Sequence, residues 1–70
     1  MSVKDLVRMA NQIAVNQAHL SDDDAVALVA QHLTMFWAPA MQRDLFAAVD
    51  AGEADLNEVA LRAVRQLQPA

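Results

Sequence analysis

The sequence predicts an all-α fold, a single domain over residues 1–70 built from about four short helices in a bundle or orthogonal array. Three observations carry this. One glycine and two prolines in 70 residues leave good helix formers in almost every window. Apolar residues recur at three- and four-residue spacing, and no stretch keeps the strict alternation of a strand. Capping signals punctuate the chain at short intervals, and short connections make successive helices neighbours in space.

The first helix is expected from Val3 to about Ala18, with Ser2 as N-cap and Asp5 three residues on as a weaker relative of the capping box. Leu6, Met9, Ala10, Ile13 and Ala14 form its inward stripe, extended by Val3, Val7 and Leu20. Ser21 starts the second helix. Asp22, Asp23 and Asp24 fill its first turn, where unpaired N–H groups and the helix dipole favour negative charge. Val26, Val29, Ala30, Leu33 and one of Phe36 or Trp37 face inward. The residue before a proline is pushed away from helical angles, so this helix ends near Trp37 or Ala38, and Pro39 fits the first turn of the third.

Met41, Leu45, Ala48 and Val49 lie on one face of the third helix, with Phe46 beside them, and Asp50-Ala51-Gly52 is its exit. Asp55 and Glu58 then read as N-cap and capping-box partner of a fourth helix running to about Leu67. Leu56, Val59, Ala60, Ala63, Val64 and Leu67 face inward, and Gln68-Pro69-Ala70 is expected to fray.

Composition removes several function classes. A formal net charge of −4, with five basic residues scattered as Lys4, Arg8, Arg43, Arg62 and Arg65, leaves no basic face for nucleic acid. The chain has no cysteine, hence no disulfide and no thiolate ligand for zinc or an iron–sulfur cluster. No apolar run approaches the ~20 residues that span a bilayer, and a cytoplasmic protein is expected. One glycine precludes a glycine-rich phosphate loop. Ser2 and Ser21 are explained as caps, His32 has no ligating residue at i+3 or i+4, and His19 precedes the helix start at Ser21 and so makes no ligand pair on one helix with Asp22 or Asp23; neither nucleophilic nor metal-assisted catalysis finds its parts. The triple aspartate lacks the spacing of a calcium loop.

What remains is an excess of apolar bulk. Met35, Phe36 and Trp37 succeed one another, each turned about 100° from the last, and a domain this small cannot bury all three. Part of the run, or Met41 beyond the proline, is left for a partner, and Trp37 is the best single anchor by side-chain type. A second candidate is the polar stripe Arg8, Asn11, Gln12, Val15 and His19, whose amides suit hydrogen bonding to another chain.

Two stretches carry a family likeness: Leu6-Val7-Arg8-Met9-Ala10-Asn11-Gln12-Ile13-Ala14 and His32-Leu33-Thr34-Met35-Phe36-Trp37-Ala38-Pro39-Ala40-Met41. Together they resemble the delta subunit of soluble NAD-dependent formate dehydrogenase, over roughly Leu6 to Leu67. The pattern departs where an arginine is more usual at Gln42 and an aromatic near Asn16 and Gln17.

The resemblance implies a non-catalytic accessory subunit that binds the large catalytic subunit of a molybdenum-containing complex and stabilises it or helps assemble it. The molybdenum cofactor, iron–sulfur clusters, FMN and NAD are then expected in partner subunits and none in this chain. The expected interface is Arg8, Asn11, Gln12, Phe36, Trp37 and Met41, and the isolated chain is expected to form homodimers or higher assemblies through its spare apolar surface. Two alternatives stay open: a cofactor-insertion chaperone absent from the mature complex, and a self-contained helical regulator.

Overall fold

A computed structural model describes residues 1–69, and Ala70, the last of the residues expected to fray, lies outside the described residues. The chain forms α1 (Val3–Asn16), α2 (Asp22–Phe36), α3 (Pro39–Asp50) and α4 (Glu58–Leu67), with no strand among the described residues. The all-α expectation of four short helices is met.

Local chemistry sets each boundary. Ser2 Oγ accepts from the Asp5 amide at 3.2 Å and Ser21 Oγ accepts from the Asp24 amide at 3.2 Å, so both expected N-caps are made. The side-chain hydrogen bond of Ser2, then that of Arg8, holds the Asp5 carboxyl below its usual range, so this end of α1 loses support on acidification through that lowered value. At the other end, α1 stops two residues before the expected Ala18. The Gln17 and Ala18 amides bond to Ala14 and Val15, and this tighter i→i+3 pattern closes the helix early.

Pro39 occupies the first turn of α3. Gly52 ends that helix at φ +71°, with its amide on the Val49 carbonyl at 3.1 Å and the Glu53 amide on the Ala48 carbonyl at 2.9 Å, a Schellman arrangement. Nothing lies within 4 Å of a Cβ added at Gly52. Gly52→Ala should therefore cost only the left-handed penalty, about 1 kcal/mol, and lower the melting temperature by ~4–8 °C. A thermal melt unchanged by the substitution would show that the turn adapts.

The start of α4 differs from expectation. Asn57, not Asp55, is the N-cap, its Oδ1 accepting from the Ala60 amide at 2.9 Å. The reason is a contact across the molecule. Asn11 Nδ2 donates to the Asp55 carbonyl at 2.9 Å and Asn11 Oδ1 accepts from the Asn57 amide at 2.8 Å, which holds the approach to α4 against α1. Helix formation begins only once that hold ends. Gln68 is likewise tied down, its Nε2 donating to the Phe46 carbonyl at 3.2 Å and Asp50 Oδ1 at 3.1 Å, so the expected fraying does not reach it.

The core gathers Leu6, Ala10 and Ala14 from α1, Val26, Val29, Ala30 and Leu33 from α2, Leu45 and Val49 from α3, and Ala60, Ala63 and Val64 from α4. Helices α2 and α4 make the most extensive contact, and α1 touches the other three. Small side chains explain the closeness: Ala60 and Ala63 are fully buried and let α4 approach without a large residue between. At the rim, Arg62 donates to Asp23 Oδ1 at 2.8 Å, and this hydrogen bond raises the guanidinium's pKa further. Both partners are largely exposed, so the pair adds little to stability.

Candidate partner-docking face

Helix α2 carries two pairs at i,i+4 spacing, and they point opposite ways. Leu33 and Trp37 turn inward, with Trp37 6% exposed in the core. His32 and Phe36, one step back along the helix, turn outward, and their rings meet with centroids 4.9 Å apart at 45°. The division of Phe36 from Trp37, open in the sequence, is thereby made.

The corner behind these pairs is closed by backbone chemistry. Trp37 leaves the helix in an extended conformation (φ −91°, ψ 134°), and its amide still reaches the Leu33 carbonyl at 3.1 Å. Gln42 Nε2 then donates to the Trp37 carbonyl at 3.0 Å, an acceptor beyond the end of α2, and gives the Leu33 carbonyl a second hydrogen bond at 3.1 Å. A donor is what this position requires.

Outward from the corner, Phe36 is 70% exposed, Met35 63% and Leu28 41%. With His32, Ile13 and Gln17 they line a groove of about 120 Å³ between α2 and α1. No Lys, Arg, Asp or Glu is among the residues lining it. On a chain of net charge −4, an uncharged patch with two large apolar side chains more than half exposed is a surface suited to burial against another protein.

The six residues expected at an interface do not form one surface. Phe36 lies on this face. Trp37 is in the core, so its ring is not offered to a partner; an aromatic at that helical position completes the stripe begun by Val26, Val29 and Leu33. Met41 is half-buried and packs on the same core. Asn11 is spent on holding the approach to α4, and lies about 200° around α1 from Ile13 of the groove. Arg8 and Gln12 are exposed on α1, Arg8 beside Asp5 at 3.4 Å and Gln12 donating to Asn16 Oδ1 at 3.0 Å.

Leu28, Ile13 and Gln17 are additions to this face, whereas Met35 belongs to the run of which part is expected to meet a partner. A signal for the α2 residues existed, because Leu28, His32, Met35 and Phe36 recur at steps of four, three and one, a second apolar stripe beside the inward one. Ile13 and Gln17 come from another helix, and their place depends on how α1 and α2 pack.

Two wider clefts gather no comparable chemistry. One, of about 280 Å³, opens between the end of α1 and the starts of α2 and α4, and the other, of about 310 Å³, is floored largely by Ala47, Ala48 and Ala51. Among the described residues, no group of three His, Cys, Asp or Glu is placed to hold a metal ion. No helix among them is long and apolar enough to cross a membrane.

Comparison with known proteins gives one family. The model described as "NADH-dependant formate dehydrogenase delta subunit FdsD" matches residues 5–64. No curated protein and no solved structure matches the chain.

Proposed function

Because the chain belongs to the formate dehydrogenase delta-subunit family FdsD, we propose that it is a non-catalytic accessory subunit that docks on the large catalytic subunit of a formate dehydrogenase through the Phe36 face. The observation that carries this reading is the exposure of Phe36 and Met35 beside an uncharged groove. Docking there buries apolar surface without desolvating a charge, the least costly way for an acidic chain to gain a partner. A second copy is the weaker occupant, since it would bring together two chains of net charge −4.

The cofactors of the reaction belong, in this reading, to other subunits. The chain's part is mechanical: it covers apolar surface on the catalytic subunit and so favours that subunit's folded, assembled form by mass action. Retention at fixed stoichiometry in the purified complex fits a subunit, and loss on maturation fits a chaperone.

Phe36→Ala tests the face. An apolar anchor of this kind contributes about 1.4–2 kcal/mol or more, so affinity for the catalytic subunit should fall roughly 10- to 30-fold. The thermal melt of the isolated chain should stay put. Undiminished affinity, measured by titration against the co-expressed subunits, would remove Phe36 from the interface.

A further inference from the structure

Resting on the docking reading above, we infer that His32 is a positioning residue: its ring holds Phe36 in one orientation before a partner arrives, so the face docks preformed instead of being ordered on contact. Phe36 closes α2, and no further turn of that helix lies beyond it. A helical side chain leans back over the turn before its own, so the neighbour in reach is the residue four earlier. That residue is His32.

The two rings meet with centroids 4.9 Å apart and tilted by 45°, inside the range in which aromatic pairs attract. One ring needs holding and the other is held. Phe36 is 70% exposed, and an exposed aromatic on a helix has two staggered positions of its first torsion open to it. His32 is half-buried and lines the seam between α1 and α2 with Ile13 and Gln17, which restricts its own ring. Order therefore passes outward, from the packed seam through the imidazole to Phe36. The contact is of ring on ring and asks nothing of the imidazole nitrogens.

A side chain that must be immobilised on contact costs an interface roughly 2- to 10-fold in affinity, and a ring pair supplies a bias of the same size. The pair is thus strong enough to meet that cost in advance. Met35 offers the contrast, being 63% exposed and unbranched, with the exposed amide of Gln31 four residues before it in place of a ring. The face then carries one fixed anchor and one adaptable side chain.

The experiment has two readouts, on variants whose folding is checked by circular dichroism. In NMR spectra of the free chain, wild type should show cross-relaxation between the His32 and Phe36 rings and a single Phe36 rotamer, and His32→Ala should show rotamer averaging. In titrations against the co-expressed formate dehydrogenase subunits at one fixed pH, His32→Ala should bind roughly 2- to 10-fold more weakly than wild type. His32→Phe, which keeps a ring and has no nitrogen, should recover wild-type affinity. Added to Phe36→Ala, His32→Ala should weaken binding by less than about twofold further, because a residue that acts through Phe36 has nothing left to act on. An averaged Phe36 in free wild type, or undiminished or tighter binding by His32→Ala while Phe36→Ala is weakened, would overturn the positioning role and leave docking intact. An equal loss from His32→Ala in both backgrounds would overturn it differently, by showing that His32 meets the partner itself. Full affinity for Phe36→Ala would overturn the docking face, and the inference with it.

Discussion

Trp37→Ala should unfold most of the domain, while Phe36→Ala, one residue earlier, should leave its melting curve almost unchanged. Trp37 is 6% exposed, belongs with Leu33, Leu45, Val49 and Val64 to the core cluster, and ends α2 at the corner from which α3 departs. Truncating a buried tryptophan costs about 3–5 kcal/mol through lost transfer energy and the cavity left behind. A domain below about 80 residues rarely has more than 3–5 kcal/mol of margin. The substitution therefore removes about as much as the fold holds. Phe36 is 70% exposed, and surface truncations of that kind stay within about 0.5 kcal/mol.

Circular dichroism melts of the two variants check this directly. A cooperative Trp37→Ala melt within a few degrees of wild type would mean that the ring is not part of the core. The contrast also separates two kinds of binding failure. A Trp37→Ala chain that fails to recover the catalytic subunit reports lost folding, whereas the same failure in Phe36→Ala reports a lost contact. Trp37→Phe, which keeps most of the buried area, should restore folding and recovery together.

The adjacency of these two rings shows what the sequence can and cannot carry. Helical spacing alone places Leu6, Ala10, Ala14, Val29, Leu33, Leu45, Ala60 and Val64 inward, because three-four periodicity is a property of one helix at a time. The caps at Ser2 and Ser21 and the Pro39 start are legible for the same reason: each involves residues within one turn. The choice between Phe36 and Trp37 is not, since both lie near the stripe of α2 and only the approach of α3 and α4 decides which is covered. Asp55 fails as a cap for a related reason. Its local signature is sound, with Glu58 three residues on, but a side chain 44 residues earlier holds its carbonyl. Asn11 is the other half of that contact. An amide on an exposed-looking stripe has the same sequence signature whether its partner is another molecule or another helix.

Asn11→Ala should destabilise the domain by about 2–3 kcal/mol, more than any exposed polar residue on α1 would. The side chain makes two hydrogen bonds to backbone groups of one short segment, donating to Asp55 O at 2.9 Å and accepting from Asn57 N at 2.8 Å, as a strand neighbour would. Alanine leaves both without their partner. Asn57 also donates through Nδ2 to the Asn11 carbonyl at 3.3 Å while its Oδ1 caps α4, so the loss spreads to the helix start. Helix α4 supplies Ala60, Ala63 and Val64 to the core and packs mainly against α2, which makes its loosening a global event rather than a frayed end. Hydrogen exchange should show the loss first at Asn57 and Ala60, and the melting temperature should fall by ~10 °C or more. Asn11→Asp keeps the acceptor for the Asn57 amide but turns a carboxylate oxygen toward the Asp55 carbonyl, so it should rescue little. The opposite pattern, an unchanged melt with weaker recovery of the catalytic subunit, would return Asn11 to the interface and place the hold on α4 elsewhere.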